Sequence, residues 1–89
     1  MTEALDALVA AGRLREAEAL VWEHLWAGRP PAHVWWLKLG ELFAARGHLR
    51  RALGAFRRAQ EVDERGERAF VLHQAVSTLG QVLHRQRRP

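Results

Sequence analysis

Residues 33–66 read HVWWLKLGELFAARGHLRRALGAFRRAQEVDERG, and the spacing of their aromatic and small side chains indicates how the chain folds. Apolar residues recur every three to four positions on both sides of Gly47, which is the period of a helix and not of a strand. Glycine tolerates the left-handed conformation in which many helices end. The stretch therefore predicts two helices, over 33–46 and 49–62, joined by a tight turn at Gly47.

The same helical period continues on both sides of this stretch. It predicts further helices over 2–11, 13–27 and 67–86. Pro30-Pro31 separates the second helix from the third, because proline lacks an amide donor and restricts the residue before it. The sequence thus predicts an all-α fold of about five antiparallel helices in a single domain over residues 1–89.

Two observations within the chain point to repeated units. Residues 12–17 and 47–52 agree at four of six positions, 35 residues apart, and a self-match at that period is typical of stacked helix-turn-helix units. In the central stretch, small residues fall where two antiparallel helices would approach most closely, and large apolar residues would fill the space around that contact. The small residues are Gly40, Ala52 and Ala59; the large ones are Trp36, Leu39, Phe43 and Phe56.

Residues 33–66 resemble a tetratricopeptide repeat. The resemblance rests on Trp36-x2-Leu39-Gly40-x2-Phe43, followed by Ala52, Phe56 and Ala59 at the spacing of the second helix; Glu64 stands where the family has proline. It extends more weakly in both directions. It implies two stacked helix-turn-helix units, over about 1–32 and 33–66, and a closing helix over 67–86. The strict spacing of the family would bury His73 and Ser77 of that helix, but the helical period instead predicts an apolar stripe of Leu72, Val76, Leu79 and Leu83.

The resemblance implies a non-catalytic module that binds a helix or peptide of a protein partner in a concave groove formed by the first helix of each unit. The corresponding positions are Asp6, Val9, Leu37, Lys38, Glu41, Phe70, His73 and Ser77. Family members that capture a C-terminal carboxylate use a cluster of basic and amide side chains. Leu37, Glu41, Ala44 and Ala45 stand there in this chain, so we do not expect carboxylate capture.

Two apolar patches fall outside the expected core. Trp22 and Trp26 lie one helical turn apart and point away from the main apolar stripe of their helix, and Trp35 is close enough in sequence to extend that patch. Val71 and Val82 form a second stripe on the last helix. Exposed apolar patches often mark contacts, so we expect a homodimer through the last helix or the tryptophan patch. Alternatively, other parts of the chain cover the tryptophans.

Charge supports a second interpretation. Residues 1–45 carry a net charge of −2 and residues 46–89 a net charge of +6. Arg50, Arg51, Arg57 and Arg58 would share the solvent face of one helix and could contact phosphates. Without aromatic residues between them to stack bases, they favour only weak, non-specific binding of nucleic acid. One alternative function is therefore a basic nucleic-acid-associated module. The chain also resembles the repeat domains attached to bacterial transcription regulators, and this resemblance implies a second alternative, the protein-contact domain of such a regulator.

Other classes of protein are not favoured by the sequence. There is no cysteine, no apolar run approaching the ~20 residues of a membrane span, and an acidic first segment unlike a secretory signal. The histidines are scattered, and no nucleophile has both a base and an orienting group. We expect a cytoplasmic protein with no enzymatic activity, no cofactor, no metal and no membrane partner.

Overall fold

The computed structural model describes residues 2–87; Met1, Arg88 and Pro89, which the predicted domain includes, lie outside the described residues. The described part of the chain contains five α-helices and no strand, which confirms the all-α prediction. Every boundary lies within two residues of its predicted place. The helices are α1 (Glu3–Ala10), α2 (Leu14–Trp26), α3 (Ala32–Ala45), α4 (Leu49–Val62) and α5 (Ala69–Gln86).

Two equivalent turns end α1 and α3. Gly12 and Gly47 have φ angles of +73° and +80°, in the left-handed region that favours glycine. After α3, the amide of Gly47 donates to the carbonyl of Ala44 at 3.0 Å and the amide of His48 to that of Phe43 at 2.8 Å. The turn after Gly12 forms the same pair of bonds. These bonds satisfy carbonyls that a helix otherwise leaves open at its end.

The helices pack in chain order. α1 packs on α2, α2 on α3, α3 on α4 and α4 on α5. The α3 helix lies in the middle of this series and buries side chains on several of its faces. The main core residues outside α3 are Leu5, Ala17, Val21, Ala52, Phe56, Ala59, Leu72 and Leu79.

The closest approach in the core is between α3 and α4 at Gly40. A Cβ atom added to Gly40 would lie 2.7 Å from Cε1 of the Phe56 ring, closer than real Cβ contacts allow. Ala52 and Ala59 flank Phe56 on α4 and are completely buried. The small residues therefore lie where the two helices meet, as the sequence predicts.

The last helix uses the predicted apolar stripe. Leu72 and Leu79 are buried and Val76 is partly buried, whereas His73 and Ser77 are exposed.

On the other side of α3, Glu18 of α2 accepts a hydrogen bond from the Arg46 guanidinium, and both side chains are mostly buried. This ion pair connects α2 to the end of α3.

The Gly40 contact yields a matched pair of substitutions. Gly40→Ala should lower the free energy of unfolding by about 1–2 kcal/mol, because overpacking at Phe56 exceeds the gain of about 1 kcal/mol in helix propensity. Gly54→Ala, in α4 with no atom near its Cβ position, should instead raise it by up to about 1 kcal/mol. Urea unfolding followed by circular dichroism measures both. If Gly40→Ala also stabilised the protein, α3 and α4 would not approach each other this closely.

Candidate functional site

A cleft between α1 and α3 brings together four of the predicted groove residues. Asp6 and Val9 of α1 face Lys38 and Glu41 of α3 across a cavity of about 280 Å³. The remaining lining is mostly apolar: Leu5, Ala10, Leu14, Leu42 and Ala45. Val9 is 44% exposed, so its side chain offers apolar surface at the cleft. We call this site the α1–α3 cleft.

The rim of the α1–α3 cleft carries both signs of charge. Lys38 Nζ lies 3.7 Å from Glu41 Oε1, and the Asp6 carboxylate accepts a hydrogen bond of 3.1 Å from the Thr2 hydroxyl. The two carboxylates exceed the single ammonium by one charge. An apolar floor with an acidic rim is suited to an amphipathic segment that carries basic residues beside its apolar face.

The other predicted groove residues do not join this cleft. Leu37 is only 9% exposed, so its prediction as a groove residue is wrong. The physical reason is the central position of α3, which packs against helices on both sides. Phe70 and His73 line a separate depression of about 490 Å³ beside the end of α4. Ser77 is exposed on α5.

The tryptophans mostly pack against one another and against α3. Trp35 is 2% exposed and stacks on the His24 ring, with centroids 4.0 Å apart and planes 6° apart. Trp22 meets Trp36 edge-to-face at 5.8 Å, and both are partly buried. The predicted exposed patch is therefore wrong for Trp35, and Trp22 is largely covered. Trp26, at the end of α2, is 83% exposed.

Sequence analysis placed Trp36 in the core, but its neighbour Trp35 is the more deeply buried of the two. The helical period shows that one tryptophan of the pair faces inward, but it does not show which one finds a partner. Here His24 of α2 supplies a flat surface for Trp35, and Arg29 Nη1 lies 2.8 Å from His24 Nδ1. The sequence pattern did not predict this stack.

The second predicted apolar stripe is partly exposed. Val71 is 50% exposed, its neighbour Phe70 is 73% exposed, and Val82 is partly buried. These residues lie beside the face of α5 that packs on α4. The stripe thus leaves apolar surface open near the start of α5.

The four arginines predicted to share a solvent face are all on α4. Their side chains are all exposed: Arg50, Arg51, Arg57 and Arg58. Arg58 donates a hydrogen bond of 2.7 Å to Glu61, which neutralises part of that charge. Arg50 and Arg51 also line a shallow depression beside Leu83 of α5.

A polar cluster that sequence reasoning missed positions the start of α5. Asp63 is buried, and its carboxylate accepts hydrogen bonds of 3.0 Å from the backbone amides of Glu67 and Arg68. The His33 ring, also buried, lies 3.9 Å from this carboxylate and 3.7 Å from that of Glu67. Asp63 ends α4 and lies six residues before α5, so it is not at a helix N-cap position and the sequence pattern gave no signal for this cluster.

The described residues offer no metal site and no membrane-spanning element. Within residues 2–87, no three His, Cys, Asp or Glu side chains are grouped so that they could hold a metal ion. None of the five helices there combines the length and the apolar character needed to cross a membrane.

Comparison of the chain with protein-family models, with curated proteins and with solved structures finds no match.

The Asp63 cluster yields a stability prediction. Asp63→Ala should lower the free energy of unfolding by about 1–2 kcal/mol, because the amides of Glu67 and Arg68 lose their acceptor. Glu64→Ala, at an exposed position in the same turn, should change it by less than about 0.5 kcal/mol. Thermal unfolding of both variants tests the difference. Equal effects would show that the Asp63 carboxylate does not hold this turn.

Proposed function

We propose that this chain is a non-catalytic protein-interaction module that binds a helix or peptide of a partner protein in the α1–α3 cleft. The observation that carries the proposal is the meeting of Asp6, Val9, Lys38 and Glu41 around an apolar floor. The partner segment would place its apolar residues on that floor and its basic residues near the two carboxylates.

The size of the cleft suits a few side chains of a partner segment. Its volume is about 280 Å³. A helix laid along a groove presents anchors at positions i, i+3 or i+4 and i+7, so it needs only a few side chains in the floor. An amphipathic basic helix is therefore the proposed ligand.

The proposed assignment to tetratricopeptide-like repeats is supported by burial that recurs at a spacing of 35 residues. Ala17 and Ala52 are both completely buried, and Val21 and Phe56 are 0% and 5% exposed. Gly12 and Gly47 begin the two stretches with the same turn. We propose that α1–α2 and α3–α4 are the two repeats and that α5 closes the array.

We also propose that the chain associates with itself. Trp35 is buried and Trp22 is covered by Trp36, so the tryptophan patch offers little surface beyond Trp26. The partly exposed stripe of α5 is then the better candidate for contact between copies. A homodimer through α5 is the simplest form of this proposal.

A selection of peptides tests the proposed ligand. Displayed libraries of helical peptides, selected on the full chain, should yield amphipathic basic sequences. Val9→Lys should weaken their binding about tenfold or more, which is at least about 1.4 kcal/mol, because it places a charge beside the apolar floor and repels the basic residues of the peptide. Fluorescence anisotropy with the selected peptides measures the loss of affinity.

The matched control for this experiment is Val71→Lys. Val71 is 50% exposed, close to the 44% of Val9, but it lies on α5 away from the cleft. It should leave peptide affinity unchanged. If no peptide were selected, or if both variants bound it as the natural chain does, the α1–α3 cleft would not be the binding site.

The four arginines on the solvent side of α4 support a second candidate function, which is electrostatic binding of nucleic acid. This candidate predicts that a labelled DNA duplex binds at low salt and is released as the salt concentration rises. Reversing Arg50 and Arg51 to Glu should remove most of the binding. Each arginine that no longer contacts a phosphate should also reduce, by roughly 1, the slope of the logarithm of the binding constant against the logarithm of the salt concentration. A natural chain that does not bind at about 50 mM salt would exclude this candidate.

A further inference from the structure

A groove on the outer side of α1 and α2 has the properties of a docking surface. It has a volume of about 590 Å³, and its floor is formed by small or apolar side chains: Ala4, Ala7, Leu8, Ala11, Ala19 and Leu20. Its rim holds Arg13, Glu16 and Glu23. Small residues let the backbone of a docking helix approach closely. We call this surface the α1–α2 groove.

The opposite end of the helix series presents an apolar surface on α5. Val71, Thr78 and Val82 are spaced by seven and four residues, so they share one stripe of the helix. Phe70 lies at its edge and is 73% exposed. We call these four residues the α5 open face. With 18 residues, α5 is about 27 Å long, enough to extend along the α1–α2 groove.

The charges of the two surfaces are opposite. The rim of the α1–α2 groove has two acidic side chains, Glu16 and Glu23, and one basic side chain, Arg13, a net charge of −1. Residues 69–87 have Arg85 and Arg87 and no acidic side chain, a net charge of +2. At the groove rim Arg13 is paired with Glu16 at 2.6 Å, whereas Glu23 has no ion pair within residues 2–87. Opposite charge steers association and selects its orientation.

The same charges give contact between two copies of α5 no electrostatic gain. Both surfaces carry basic and no acidic side chains, so no ion pair can form across such a contact. The α1–α2 groove offers α5 an apolar floor together with carboxylates. A second copy of the chain is therefore a better occupant of the groove than of the α5 open face.

From these observations we propose that copies of this chain associate head to tail, with the α5 open face of one copy seated in the α1–α2 groove of the next. The inference rests on the proposed self-association and replaces a symmetric dimer with a directional contact. It does not involve the α1–α3 cleft. A contact between two different surfaces leaves a free groove at one end and a free α5 at the other, so assembly continues unless it closes into a ring.

Two variants test the directional contact. Ala7→Arg blocks the groove, because it adds a large basic group to the floor at an exposed position of α1. Val71→Glu blocks the α5 open face and places an acid against an acidic groove. In light scattering, the natural chain should show a mass that rises with concentration, and added salt should reduce that mass. Each variant alone should remain a single chain to at least about tenfold higher concentration.

The decisive measurement is an equimolar mixture of the two variants. The intact α5 of Ala7→Arg can enter the intact groove of Val71→Glu, so the mixture should form a complex of two chains and no larger species. A symmetric α5 dimer predicts the reverse: Ala7→Arg would still dimerise, and mixing would not rescue Val71→Glu. Circular dichroism of each variant verifies that it is folded.

Three results would overturn the proposal. They are a natural chain that remains single at high micromolar concentration and low salt, a dimeric Ala7→Arg, and a mixture that contains only single chains. Val9→Lys, in the α1–α3 cleft, serves as the control and should assemble as the natural chain does. Because Val9→Lys alters peptide binding and Val71→Glu alters assembly, failure of this proposal is distinguishable from failure of the proposed function.

Discussion

The close contact of Gly40 with Phe56 is the constraint on which the rest of this structure depends. Because residue 40 has no side chain, the Phe56 ring of α4 occupies the space that a Cβ on α3 would take. Ala52 and Ala59, on the same face of α4 as Phe56, are completely buried beside this contact. A larger residue at position 40 would move α3, and with it Lys38 and Glu41 on the rim of the cleft.

The central position of α3 explains which predicted residues became available for binding. A helix that packs on both sides has few positions left for solvent, so Leu37 is buried while Lys38 and Glu41 remain accessible. The first helix, α1, packs mainly on α2, and it leaves Asp6 and Val9 free to face α3 across the cleft. The proposed binding site thus consists of residues of α1 and α3 that are not buried in the core.

Much of this fold could be predicted because its signals are local. Helix period and the glycines at the turns indicated five helices to within two residues, and the leucines of α5 indicated the correct buried stripe. The errors concern side chains whose burial depends on a partner elsewhere in the chain. Trp35 is buried because His24 stacks on it, and no spacing rule predicts that pairing. Asp63 and His33 are 30 residues apart in the sequence but lie side by side in the fold, and a local pattern cannot predict that contact either.

The surfaces that remain exposed also depend on contacts between distant parts of the chain. Burial of Trp22 and Trp35 removes most of one predicted contact patch, but α5 keeps Phe70 and Val71 exposed because its principal neighbour is α4. At the other end, α1 and α2 leave a groove whose floor is largely alanine. In a linear series of helices the two ends necessarily differ in shape, and in this chain they also differ in sign of charge. Such a series favours contact between the α5 open face of one copy and the α1–α2 groove of another over contact between two α5 helices. Only the contact between unlike ends pairs an apolar ridge with a groove and a basic surface with an acidic one.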